Sequence, residues 1–233
     1  MSPDQVNRLL EVPASDSTTP VKEKEAAFIY NFLKEKGIRS TCEVGFAYAR
    51  SASHIMAATG ANHIVMDPYQ GRYGNHGLEN VKRLGLTQQL EFHDDFSHNV
   101  LPRLLAQGRR FEFIFIDGDH KFDGEFIDYY FADLLLNANG YMLFHDTWMR
   151  STRLVTSFID SNRPDYKKTH TPLRNFALYQ KIGHDSRNGM HFKEFYTFGG
   201  TLTHYPIIWM SEGESTWLKR LVHKAKNMAV GRK

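Results

Sequence analysis

"CEVGFAYARSA", residues 42–52, decides how the chain is read. A short apolar run ends at Val44, and Glu43, Gly45, Ala47, Ala49 and Ser51 then occupy alternate positions with little bulk among the last four. Such a run, broken by a glycine and followed by a helical pattern, is a buried strand handing its chain to a helix. Gly45 permits unusual backbone angles, the alanines keep bulk away, and the coming helix presents unpaired N–H groups. The bend is therefore expected to hold a ligand against the backbone. Ala47 and Arg50 stand where G-x-G-x-x-G would need glycines, which disfavours a pyrophosphate ligand.

Working outward, apolar runs recur at residues 39–44, 63–66, 90–93, 111–116 and 141–144. Helical patterns near 50–59, 76–85, 98–107, 122–136 and 150–161 separate or follow them. Strands buried on both faces, joined by helical crossovers, predict an α/β fold with a doubly wound, mostly parallel sheet. Thr19 and Pro20 suit the start of a helix whose apolar stripe is Ala26, Ile29, Tyr30 and Leu33. After Ser161, "DYKKTHTP" and "NFALYQKIG" are two strands with too little chain between them for a helix, so an antiparallel edge hairpin is expected. Residues 1–19 are read as an N-terminal extension with one short helix, 20–182 as the main domain, and 183–233 as a C-terminal extension.

The bulk properties narrow the function. The 233 residues are 41% hydrophobic and 24% charged, enough for one core, and no stretch approaches the roughly 20 apolar residues that span a bilayer. The N-terminus lacks the order of a signal peptide, so a cytoplasmic protein is expected. A single cysteine, Cys42, excludes an internal disulfide framework and a thiolate metal cage. A net charge of +3 does not by itself imply nucleic acid. The basic surplus collects in the tail, where Trp217, Leu218, Leu221, Val222, Ala225 and Met228 fall at helical spacing. This basic amphipathic helix suits docking on its own domain or on a twin subunit in a homo-oligomer, and alternatively an anionic membrane surface or a phosphorylated substrate.

Ligands of open parallel sheets lie beyond the carboxyl ends of the strands. Glu43 there can accept from an ammonium group, and Asp67, closing "HIVMD", has the place and separation of an acid that holds ribose hydroxyls. Together they suggest a nucleoside carrying an amino acid. Each also has a structural reading: Glu43 as a cap of the next helix, Asp67 as the opening of a turn with Pro68. "IDGDH" brings Asp117, Asp119 and His120 to the end of the fourth strand, and "FHDTW" brings His145 and Asp146 to the fifth. Asp119 is read as a helix cap. Asp117 and Asp146 would repel each other unless a cation or proton were shared.

These stretches resemble class I S-adenosylmethionine-dependent methyltransferases of the small-molecule branch, which includes sugar-directed enzymes of macrolide synthesis. "EVGFAYARSA" is similar to their acidic-Gly first motif and "MDPYQ" to their ribose-binding acid. "FIFIDGDHKFDGEFIDYYFADLLLNANGYMLFHDTW" resembles the pattern I-D-G-x-H, then Asp, then L-L-x-x-G-G, then an acidic strand end. Asn139 replaces the first glycine of that pair, and asparagine also adopts left-handed angles. The resemblance covers roughly residues 40–181 and implies a seven-stranded Rossmann-like fold with S-adenosyl-L-methionine as cofactor. It places Glu43, Gly45, Phe46, Ala47 and Ser51 at the methionine part and Asp67 at the ribose. Asp95, Phe96 and Ser97 fall at the adenine, with Asp117 and Gly118 also bordering the cofactor.

The resemblance further implies a divalent ion, magnesium, manganese or another, on Asp117, His145 and Asp146. His145 replaces a usual acid there, and an imidazole suits Mn²⁺, Fe²⁺ or Zn²⁺ better than Mg²⁺. Without a metal, His120 or His145 would be the general base, so the catalytic candidates are Asp117, His120, His145 and Asp146. Arg72, Tyr73 and His76 are candidates to cover the acceptor and Trp148 and the aromatics of "MHFKEFYTF" to wall it, with core packing the favoured reading for most of the aromatics. The expected activity is O-methylation of a small hydroxylated metabolite or sugar. A metal-dependent oxidative or hydrolytic enzyme on the same scaffold, and a binding module without turnover, stay open at this stage.

Overall fold

The computed structural model of the chain describes residues 1–193 and residue 195. The sequence-predicted tail helix and most of the C-terminal extension lie outside the described residues. Met1–Lys193 form one compact unit. Its helices are α1 (Pro3–Leu9), α2 (Glu23–Lys36), α3 (Arg50–Thr59), α4 (His76–Arg83), α5 (Ser97–Ala106), α6 (Phe122–Leu135) and α7 (Arg150–Asn162). Its strands are β1 (Thr41–Val44), β2 (His63–Met66), β3 (Leu90–His93), β4 (Phe111–Ile116), β5 (Leu136–Phe144), β6 (Tyr166–Thr169) and β7 (Ala177–Lys181).

The strands form one seven-stranded sheet in the order β3-β2-β1-β4-β5-β7-β6. The first five are parallel; β7 runs antiparallel to both β5 and β6. The expected edge hairpin is present, with its second strand on the inside. Strand alternation sorts the side chains into two layers. Cys42, Val44, Ile114, Ile116, Met142 and Phe144 pack with α5, α6 and α7 residues. Phe113, Phe115, Leu143 and Leu178 pack with Ile29, Phe32 and Leu33 of α2 and Ile55 of α3. Each fully buried phenylalanine of β4 contributes roughly 1.5–3 kcal/mol by leaving water.

Two boundaries differ from the sequence reading. Helix α2 begins at Glu23, because Glu25 reaches back to accept from the Lys22 N–H at 2.8 Å, so Thr19 is not its cap. β5 begins at Leu136, five residues early, and its pairing with β4 shifts register between Phe111 and Phe113. Asn139, at φ 62°, takes up that irregularity in the left-handed conformation expected of it. Residues 1–19 are fastened to the domain: Val6 is fully buried among α3 and α4 side chains. The Glu11 backbone exchanges two 2.9 Å hydrogen bonds with the Asn80 amide, and Tyr48 donates to Asp16.

The junction of β1 and β4 is packed without spare room. Gly45 has φ 93°, and a methyl group there would lie 2.0 Å from the Asp117 carbonyl oxygen. Gly45→Ala should lower stability by about 3 kcal/mol or more, combining a forbidden φ with a backbone overlap; a urea melt checks this. A second prediction concerns α6, where burial, partly opposed by the Thr152 hydroxyl, pushes the Glu125 carboxyl up to about 8. A raised value in the folded state means that folding takes up a proton. The stability this gives is present below the unfolded carboxyl range, about pH 4, and is lost as pH climbs toward 8. Glu125→Gln should match wild type near pH 4 and exceed it by about 1–3 kcal/mol near pH 9 in pH-resolved thermal melts.

Candidate active site

Register places the site. Val44, Met66 and Ile116 are aligned across β2, β1 and β4, and Ile116 is aligned with Phe144 of β5. The next residues, Gly45, Asp67, Asp117 and His145, therefore emerge at one rim of the sheet. β1 and β4 leave in opposite directions at this rim, which is the switch point where α/β sheets open a crevice. A cavity of about 540 Å³ lies there, its lining including Glu43, Gly45, Phe46, Ala47, Ser51, Asp67, Phe96, Ser97, Asp117, Gly118, His120 and Asp146. All but two of the sequence-selected site residues thus come together; Asp95 and His145 do not line it.

Asp67 fixes the cavity's roof. Its Oδ2 accepts from the Phe46 and Ala47 N–H groups at 3.0 and 2.9 Å, and its Oδ1 from Tyr69 N–H at 2.7 Å. The turn-opening role is thus present, and Oδ1, with one N–H bound, keeps lone-pair capacity for a ligand hydroxyl. The bend itself is strained: Ala47 and Ala49 sit at φ 44° and 61°. Gln70 holds it from outside by donating to the Ala47 carbonyl at 2.8 Å.

Glu43 forms the floor with a buried polar ladder. Thr41 Oγ1 meets His63 Nδ1 at 2.9 Å, His63 Nε2 meets Glu43 Oε2 at 2.8 Å, and Ser51 donates to Glu43 Oε1. Burial raises the Glu43 carboxyl above the ordinary range, against the pull of His63 and Ser51. A cation arriving in the cavity would favour its charged form.

Beyond the ends of β4 and β5, the two candidate histidines have different surroundings. His145 is buried with Nδ1 3.0 Å from Asp117 Oδ1 and 3.6 Å from Asp146 Oδ1, and with Nε2 3.3 Å from Glu25 Oε2. Burial opposes its charge, but Asp117, Glu25 and Asp146 outweigh that and push the imidazole up to about 10. The cation that Asp117 and Asp146 require is supplied by the protein itself. Both His145 nitrogens lie within hydrogen-bonding distance of neighbouring side chains. The donor atoms that converge, within 4.8 Å of one another, belong to Asp117, His120 and Asp146. Asp146 adopts φ 51°, a left-handed kink directly after His145, and it lines the cavity that His145 does not.

Other expectations are redistributed. Asp95 turns from the cavity to Arg103 at 2.7 Å and Asn99 at 2.9 Å, leaving Phe96 and Ser97 at the wall. Asp119 accepts from Lys121 N–H at 3.1 Å, closing the turn before α6. Tyr73 lines the cavity, whereas Arg72 lies over the Tyr69 ring and His76 packs on Tyr48. Exposed Trp148 donates to Asp146 at 2.9 Å. Of "MHFKEFYTF", residues 194 and 196–198 lie outside the described residues. Sequence reasoning missed Glu25 and Asn175, whose amide lies 2.8 Å from His145 Nε2 and 3.1 Å from Asp146. Their sequence separation from His145, 120 and 30 residues, leaves no local signal.

Residues 42–147 match a family model described as a methyltransferase domain. Comparison with curated proteins gives no match. Among solved structures, the O-methyltransferase from Bacillus cereus in complex with SAH is similar at TM-score 0.65 and 14% identity, covering 77% of this chain and 90% of that one. TomG from Streptomyces achromogenes, an O-methyltransferase involved in tomaymycin synthesis and solved with SAM, gives 0.63 and 15%, covering 78% and 88%. The SAH-bound Podospora anserina methyltransferase PaMTH1 gives 0.64 and 14%, covering 78% and 86%. First motif, sheet order and family-model match fall on the same residues, and the chain has the fold of these O-methyltransferase structures.

Proposed function

We propose that the cavity binds S-adenosylmethionine and that the chain O-methylates a small hydroxylated metabolite or sugar. The observation that supports this is that one cavity carries both the Glu43–Asp67 pair and the Asp117–His120–Asp146 group. Its residues suit an amino-acid nucleoside. Asp67 Oδ1 offers a lone pair to a ribose hydroxyl, Glu43 a negative charge to an ammonium group, and Tyr69 and Phe96 two apolar rings, 5.9 Å apart, to a flat base. Gly45 and Ala47 let the ligand approach the backbone. When bound, the cofactor supplies a methyl group on a positively charged sulfur.

The remaining work falls to the protein: hold the acceptor in line and remove its hydroxyl proton. His120 is placed for the proton. Its ring lies at the cavity, and its Nε2 is 3.5 Å from Asp146 Oδ2, a carboxylate that would stabilise the imidazolium formed. His145 holds Asp117 and Asp146 at the rim by charge.

A second reading is favoured by the 4.8 Å convergence of Asp117, His120 and Asp146. Two carboxylates and an imidazole would hold a divalent ion of the manganese or zinc kind, which would orient and acidify the acceptor hydroxyl.

Calorimetry with S-adenosylhomocysteine tests the cofactor site: wild type should bind, and Asp67→Ala should lose at least about tenfold in affinity, having removed ribose acceptors and a loop tie together. No heat with wild type would end the reading. With a metabolite pool and labelled cofactor, His120→Ala should lower methyl transfer by about 10²–10⁴-fold while leaving S-adenosylhomocysteine affinity near wild type. Activity abolished by a chelator and restored by manganese would move His120 from base to ligand.

A further inference from the structure

Helix α6 turns an apolar face to solvent. Twelve large apolar side chains of the described residues are exposed, and four of them, Phe122, Ile127, Tyr130 and Leu134, belong to this one helix, at 41, 40, 53 and 39%. Its only other exposed position is Asp123. Ile127, Tyr130 and Leu134 follow one another at spacings of three and four residues, which draws a straight seam along the helix. Half-buried Phe126 and Phe131 border that seam on either side.

A surface helix ordinarily puts its charges on this face. The acids of α6 are placed otherwise: Glu125 and Asp128 are buried in the domain, and Asp133 is taken up by Arg163 at 2.8 Å and Lys181 at 3.0 Å. Asp123, in the first turn, is left as the one exposed charge of the helix. A strongly acidic or basic partner would find no complementary row here, whereas a second copy of the same seam needs none. Paired antiparallel across a twofold axis, Ile127 of each copy faces Tyr130 of the partner subunit. The two Asp123 side chains then stand about 16 Å apart along the seam, at 1.5 Å of rise per residue, which is beyond the roughly 8 Å over which exposed charges act. Parallel pairing would set them side by side.

The area fits the same occupant. Four side chains exposed to this degree present roughly 300–400 Å² of apolar surface, the size at which a patch on a monomer tends to have a use. A twofold contact buries that patch on both copies. A standard interface takes about 800 Å² from each partner, so the seam supplies the apolar centre and the flanking helices α5 and α7, which pack against α6, supply the rim.

We propose that the chain forms a twofold homodimer through the outer face of α6, with Ile127, Tyr130 and Leu134 as its apolar seam. Because α6 begins two residues after His120, this pairing sets the two cavities toward opposite ends of the seam. The proposal does not depend on what the cavities bind.

Sedimentation of the full chain over a range of concentrations tests it: a contact of this size should give a reversible dimer with a Kd of about 1–100 µM. Ile127→Glu and Tyr130→Glu should each weaken the dimer at least about tenfold, since either would bury an unpaired charge at the axis. Met190→Glu, at a side chain 94% exposed on another part of the surface, should leave it within about twofold of wild type. A second readout is cross-linking of Tyr130→Cys. Cys42 is the only native cysteine and is fully buried, with its thiol pushed up by that burial, so the introduced thiol is the reactive one. Helices packed about 8–10 Å apart should let a bismaleimide of about 10 Å join two copies there. A dimer that ignores both glutamates, or that fails to cross-link, uses another surface and overturns the proposal. A monomer at every concentration also overturns it: shielding of the Tyr130→Cys thiol from maleimide would then mean that another segment of the same chain covers the stripe, and free reaction that nothing does. If the glutamate variants do not fold, the cross-link alone decides.

Discussion

One carboxylate holds the ligand cavity open. Asp67 takes three backbone N–H groups, two from the loop after β1 and one from the turn after β2. These groups would otherwise be unpaired donors in strained chain, since Ala47 and Ala49 occupy left-handed angles that alanine disfavours. The bond set fixes the bend against the sheet rim and sets the width of the crevice. It also explains why so few bulky groups stand there. The alanines, the glycine and the close carbonyl of Asp117 leave space that the chain's own side chains do not fill.

The second constraint is electrostatic. Four ionisable groups, Glu25, Asp117, Asp146 and His145, meet at the end of β4 and β5. Three carboxylates this close repel strongly in a medium of low polarity. A protonated His145 among them relieves that repulsion and orients Asp117 and Asp146 at the rim. His120, exposed, meets this arrangement at Asp146 Oδ2, 3.5 Å from its Nε2.

Much of this was legible in the sequence, and the limits have physical causes. Strands β2, β3 and β4 were readable to the residue because buried parallel strands are bare apolar runs bounded by turns. Their aligned ends carried Glu43, Asp67, Asp117 and Asp146 to one rim, so the acids were legible too. The start of α2 was not, because a glutamate three residues inside the helix supplied the cap that Thr19 and Pro20 advertised. That His120 lines the cavity and His145 does not was not legible, because the kink at Asp146 is a backbone event and nothing in "FHDTW" marks it. Asp95 was misplaced because its partner Arg103 lies eight residues on, two turns along α5, where a local motif does not look. Glu25 and Asn175 are contacts of the folded chain alone.

The short segment ahead of α2 has a consequence for what counts as the working unit. Thr19, Pro20 and Val21 are part of the cavity wall, Arg50 is hydrogen-bonded to Val21, and Glu25 reaches the histidine at the far rim. The stretch recognisable by family pattern starts only at residue 42. Trimming the protein to that stretch would keep the central strands and their acids but breach the vessel they furnish. The cavity here is thus the property of a larger piece than the one the family match marks.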